Sequence, residues 1–220
     1  MINFDKYLPI PTKESILLQI GANDGIQDDP VRDYILHHKI NAHLLEPIPV
    51  FYDELCKNYK DAQNVTCHNC AIHIKNGKEN ITYVNVPSLP NWTKGLGTFD
   101  ITKNGLSGYG NYKLQTDLTN DPTFLSINNQ KKDIEVNTYT LSTFLLNAGI
   151  DRIDVYVTDT EGFDGIIFDQ LDLDKYSPSF IMMETHTLGD EANYDIDNKL
   201  KNYNYTIVEK GWDTVAIKND

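Results

Sequence analysis

Positive charge is what this sequence has least of. Its 220 residues carry 19 Lys and Arg against 32 Asp and Glu, a formal charge of −13, and hold no basic run. Nucleic acids and anionic lipid surfaces are held by clustered Lys and Arg, so neither is an expected partner. No apolar stretch approaches the roughly 20 residues of a bilayer-spanning helix. The segment from Met1 to Lys13 lacks the basic and apolar blocks of an export signal, so a cytoplasmic location is expected. Three cysteines, Cys56, Cys67 and Cys70, cannot form an even disulfide framework and suit a reducing compartment. Cys67-His68-Asn69-Cys70 has the spacing of a zinc or redox pair. No second pair exists and no helix start follows, so it reads as two cysteines in a strand. The Asn-x-Thr triplets at Asn64, Asn80, Asn91 and Asn204 are then expected to stay unglycosylated.

What is present is an ordinary globular composition, 40% hydrophobic and 23% charged, in a length that suits one domain spanning 1–220. Short apolar runs alternate with helix-like stretches, the rhythm of an α/β protein with a mostly parallel sheet. Strands are expected at 16–20, 42–45, 65–70, 81–86, 153–158 and 180–183. A closing hairpin of 205–208 and 214–217 is expected around Lys210-Gly211-Trp212-Asp213. Asp29-Pro30 reads as a helix N-cap and first helical position. Further helices are expected near 51–59, 140–148 with Gly149 as the stop, 162–171 and 191–203. The stretch 86–133 is glycine- and proline-rich and reads as an insertion or lid whose aromatics, Trp92, Phe99, Tyr109 and Tyr112, line an acceptor pocket.

Four places carry chemistry. Gly21-Ala22-Asn23-Asp24-Gly25 follows the first strand, where glycines admit a ligand to the backbone. Glu46 ends the second strand, 21 residues after Gly25, where an acid accepts ribose hydroxyls in nucleotide-binding folds. Asp159-Thr160-Glu161-Gly162-Phe163-Asp164 crowds three acids at a strand's carboxyl end, a cost that a cation, shared protons or water must offset. Glu184-Thr185-His186 emerges beside it and supplies a group that titrates near neutrality. Tyr109 and Lys113 have the spacing of a reductase pair, but in a glycine-rich stretch rather than a helix.

Together these motifs resemble the FkbM-type methyltransferases. The matching pieces are Ile20-Gly21-Ala22-Asn23-Asp24-Gly25, Leu45-Glu46-Pro47, Cys70-Ala71-Ile72, Thr140-Leu141, Asp159-x-Glu161-Gly162-x-Asp164 and Glu184-x-His186, in the family's order across residues 15–217. The resemblance implies a Rossmann-like class I methyltransferase fold, α/β, with a seven-stranded mostly parallel sheet and an antiparallel C-terminal hairpin. It implies S-adenosylmethionine as cofactor, and methyl transfer to a hydroxyl of a sugar, a glycan or a small natural product. By position, Gly21, Ala22, Asn23, Asp24 and Gly25 would wrap the methionine part, Glu46 would hold the ribose, and Ala71 and Ile72 would sit by the adenine. Asp159 and Glu161 would lie where cofactor and acceptor meet. The family commonly has an acid where Gln19 stands, and Glu where Asp164 stands. Asp159 or His186 is the expected base, with Glu161 orienting it. Mg²⁺ on Asp159, Glu161 and Glu184 is the less favoured alternative. Two rival readings are an NAD-dependent sugar oxidoreductase, which lacks its full glycine fingerprint here, and a non-catalytic binding module.

Overall fold

The computed structural model describes residues 6–101 and 129–219. Strands β1 (Ile16–Ile20), β2 (Asn41–Leu45), β3 (Val65–His68), β7 (Val155–Thr158) and β8 (Phe180–Glu184) run parallel. With β9 (Tyr205–Lys210) and β10 (Asp213–Lys218) they make one seven-stranded sheet in the order β3-β2-β1-β7-β8-β10-β9. Strand β10 is antiparallel to both β8 and β9, as the expected hairpin requires. A second sheet has the order β4 (Ala71–Ile72), β6 (Lys132–Tyr139), β5 (Gly77–Tyr83). The helices are α1 (Arg32–His38), α2 (Pro49–Asn58), α3 (Leu141–Ala148), α4 (Asp164–Asp169) and α5 (Asp190–Asn202).

Near-continuous apolar strands bury both faces of the large sheet. Leu18, Ile20, Tyr156, Ile181 and Met183 pack on α3, α4 and α5 through Phe144, Ile167, Phe168, Ile196 and Leu200. The alternate residues Leu17, Val155, Val157, Phe180 and Met182 pack on α1 and α2 through Ile35 and Leu55. Chain order reverses direction between β1 and β7, since β2 lies on one side of β1 and β7 on the other. In open α/β sheets the crevice outside the strand ends at that reversal is where ligands sit.

Four local expectations need correction. The strand expected over 65–70 is cut after His68, because the Asn69 amide donates to the carbonyls of Glu46 (2.9 Å) and Pro47 (3.1 Å) and turns the chain into the second sheet. The helix expected from Gly162 starts at Asp164, since Glu161 (φ 54°) and Gly162 (φ 101°) are left-handed. The strand expected over 81–86 runs over Gly77–Tyr83, and its partner is an unexpected strand, Lys132–Tyr139, which overlaps the stretch read as a lid only at 132–133 and pairs from Lys132 to Thr138. The alternating Ile134, Val136 and Thr138 of that partner were the available signal, diluted by flanking charges. Most of 86–133, with Lys103, Tyr109, Tyr112 and Lys113, lies outside the described residues. The helix expected to open at Asp29-Pro30 starts at Arg32 with Val31 at the N-cap position and no side-chain cap bond; Asp29 Oδ1 accepts from the N–H groups of Val31 (2.9 Å) and Arg32 (3.1 Å) and closes the turn that leads into it. The cysteines form no disulfide, and burial pushes the Cys70 thiol up to about 12. Among the described residues no helix is long and apolar enough to cross a membrane.

Candidate functional site

At the reversal point lies a cavity of about 600 Å³, lined from the ends of β1, β2, β7 and β8 and from residues 92–99. The expected residues Gly21, Ala22, Asn23, Glu46, Ala71, Ile72, Asp159, Glu161 and His186 all line it. Of the expected aromatics, Trp92 and Phe99 line it too.

The β1 end is held by backbone. Gly21 has φ +86°, and a Cβ there would lie 1.8 Å from the Asp159 carbonyl oxygen. The glycine is therefore needed for the chain to pass the end of β7 at all. Glu46 is 5% exposed; its Oε2 accepts from the Asn23 N–H (3.0 Å) and its Oε1 from the Ile48 N–H (2.8 Å). Burial outweighs these two bonds and pushes its pKa up to about 7. Each oxygen keeps a lone pair for a ligand hydroxyl. Asp24 and Gly25 are placed differently from the expectation. Asp24 Oδ1 accepts from the N–H groups of Ile26 (2.9 Å) and Gln27 (2.8 Å), and Gly25 abuts Leu55 and Tyr59. Neither lines the cavity; both shape the turn that does.

The β7–β8–β10 end is held by charge. Asp159 follows β7, Glu184 ends β8, and Asp213 opens β10 opposite Glu184. Side-chain oxygens of Asp159, Glu161 and Glu184 lie within 4.8 Å of one another. Burial, followed by the charges of Asp159, Glu161, Asp164 and Asp213, holds Glu184 well above the ordinary carboxylate range. Enclosure and then the Asp164 and Asp213 carboxylates push Asp159 up as well. Its side chain nevertheless opens onto the cavity, so water screens part of that shift. Asp213 is pushed up to about 6 by burial and Asp164. Asp164 itself is fully buried and is not a ligand group: its Oδ2 accepts from the Thr160 hydroxyl (2.8 Å) and N–H (3.2 Å) and so shapes the acidic loop. His186 Nδ1 stands 3.3 Å from Glu184 Oε1, and its ring packs 4.2 Å from the Trp212 ring. Burial lowers its pKa against a raising contact with the Trp212 backbone, so a neutral imidazole is present at pH 7.

Sequence reasoning passed over Asp213 and Trp212, which reach the site only because the antiparallel β10 starts where β8 ends. The hairpin turn was the one signal. A wall of rings closes the cavity: Phe99 lies 5.4 Å from Phe163, and His73 stacks on Phe163 at 5.1 Å.

Comparison with known proteins agrees with this architecture. The crystal structure of the methyltransferase FkbM from Methylobacillus flagellatus KT superposes with a TM-score of 0.53 at 13% identity, over 93% of this chain and 43% of that one. The present chain thus spans less than half the length of that protein, and the likeness establishes the fold. The Methanococcus jannaschii fibrillarin pre-rRNA processing protein matches with a TM-score of 0.43 at 14% identity, over 96% of this chain and 69% of that one, too weak to carry an argument. No curated protein matches by sequence. Residues 19–207 match the Methyltransferase FkbM domain, from the last turn of β1 to the heart of β9, and the chain belongs to that family.

Proposed function

We propose that the chain is an S-adenosylmethionine-dependent O-methyltransferase acting on a hydroxyl of a sugar, a glycan or a small natural product. One observation carries the reading: a single cavity joins the backbone-built β1 end to the carboxylate and imidazole groups at the β7–β8 end. The residues fit the cofactor. Gly21 keeps the floor free of a side chain, buried Glu46 offers acceptors to ribose hydroxyls, and Ala71 and Ile72 give an apolar wall for a base. When bound, the cofactor supplies an electrophilic methyl and takes back the electron pair of the broken carbon–sulfur bond. The chain must hold the acceptor oxygen in line and remove its proton. Neutral His186, set against Glu184 and Trp212, and the raised carboxyl of Asp159 both accept protons near pH 7. The aromatic wall and the acid-rich floor support a hydroxyl-bearing acceptor over a polyanion.

The test is incubation with methyl-labelled cofactor and a panel of free and glycan-linked sugars and hydroxylated natural products, with products read by mass spectrometry. A labelled methyl ether is the expected result. Unlabelled acceptors throughout, together with no rise of the unfolding midpoint by S-adenosylhomocysteine, reject the reading.

A further inference from the structure

The charged side chains that line the cavity are almost all acids. Against Asp29, Glu46, Asp159, Glu161, Glu184 and Asp213, its lining sets one lysine, Lys94, whose ammonium is bonded to Glu54 Oε2 at 3.1 Å. A second feature is independent of the acids. Gln19 is 3% exposed, lines the same cavity, and donates through Nε2 to Asp29 Oδ1 (3.4 Å), which fixes its amide. Its Oε1 is left buried with no hydrogen-bond partner among the described residues, as is Asn23 Oδ1. Buried orphan acceptors are costly, and a donor-rich ligand satisfies them.

The geometry points to an amino-bearing polyol as the acceptor, with its ammonium seated among Asp159, Glu161 and Glu184 and its carbon face against Trp212. This rests on the methyl-transfer reading and narrows its substrate class. An ammonium with three carboxylate acceptors at about 2.8 Å holds those oxygens about 4.6 Å apart. The triangle lies within 4.8 Å as it stands. Both tryptophans of the chain line the cavity while staying exposed, Trp92 at 40% and Trp212 at 61%. Indole faces at an acid-rich mouth suit a cation carried on a ring. Anionic acceptors such as sugar acids or nucleoside-diphosphate sugars meet like charge on every side. With Asp159 engaged by the ammonium, proton removal from the reacting hydroxyl falls to His186.

Calorimetric titration of the protein saturated with S-adenosylhomocysteine tests this. The probes are glucosamine, galactosamine and mannosamine, each against its N-acetyl and parent hydroxyl counterparts, with glucuronate as the anion. At least one amino sugar is expected to bind about 10-fold or more tighter than both counterparts, with glucuronate weakest. Glu161→Gln is expected to erase that preference while cofactor-product affinity stays within about 2-fold. Equal binding of amine and counterpart overturns the proposal, as does an amine preference that survives Glu161→Gln. Glu161→Gln weakening S-adenosylhomocysteine instead also overturns it, since the triangle would then hold the cofactor's own ammonium. A Mn²⁺ titration followed by electron paramagnetic resonance decides against the proposal if the ion binds and expels the amine. Failure of the wild-type chain to bind S-adenosylhomocysteine is read before any sugar is added. It rejects methyl transfer separately, and the amine panel on the unloaded protein still decides the seat.

Discussion

The two ends of the cavity are made by opposite means. At the β1 end, carboxylates are satisfied by backbone: Glu46 takes the Asn23 and Ile48 N–H groups, and Asp24 takes those of Ile26 and Gln27. At the β7–β8–β10 end, carboxylates stand side by side with their pKa values raised by one another and by burial. The first arrangement fixes its carboxylates by backbone and keeps Gln19 Oε1 and Asn23 Oδ1 as open acceptors among the described residues. The second crowds carboxyls whose charged form is disfavoured, a state that a cationic ligand relieves. Shape is set at one end and chemistry at the other.

The sharpest way to break this division is Gly21→Ala. Its added methyl meets the Asp159 carbonyl at a positive φ, so it should damage both ends at once. A loss of about 3 kcal/mol or more in unfolding free energy is expected by denaturant titration. An unchanged midpoint would show that the two ends are not locked together. Next, Asp159→Asn and His186→Ala should each lower kcat/KM by over ~100-fold while binding S-adenosylhomocysteine normally. Near-wild-type rates in both reject the assignment of chemistry to this end. Trp212→Ala should raise the acceptor KM by about 10-fold and leave cofactor affinity unmoved, as separate titrations would show.

The smallest effect concerns pH. Asp159, Glu184 and Asp213 hold their protons more tightly folded than unfolded. Their contribution to stability is therefore full below the ordinary carboxylate range near pH ~4 and is lost as pH rises through the folded values, which for Asp213 is about 6. The thermal midpoint should fall from pH 5 to pH 8, and Glu184→Gln should flatten that fall. A slope equally steep in the variant would place the crowding elsewhere.

Much of the architecture was legible in the chain because it is written in contiguous residues. Ile16–Ile20 and Phe180–Glu184 are almost wholly buried and read as apolar runs interrupted only by Gln19 and Glu184. Thr140 and Gly149 bracket α3, Thr140 accepting from the Thr143 N–H and Gly149 at φ +68°. The Asp159–Glu161 loop and Glu46 were found because each follows a strand directly. What escaped is written in register instead. Asp213 reaches Glu184 through an antiparallel pairing that joins positions 29 residues apart. Strand β6 hid because its alternation of Ile134, Val136 and Thr138 is short and sits beside the charges of Lys131, Lys132, Asp133 and Glu135. Asp24 looked like a ligand residue because nothing local tells a carboxylate that faces a cavity from one that folds back on its own turn.

The contact at Gly21 also limits how this protein can change. Because the floor of the cleft leans on the peptide that carries Asp159, neither can be retuned without moving the other. Trp212, standing on a two-residue bend between β9 and β10, is held by its backbone, whose carbonyl accepts from the N–H groups of Thr185 (2.9 Å) and His186 (3.0 Å), while the residue stays 61% exposed. A change of that side chain therefore reaches the mouth of the cavity without moving its floor.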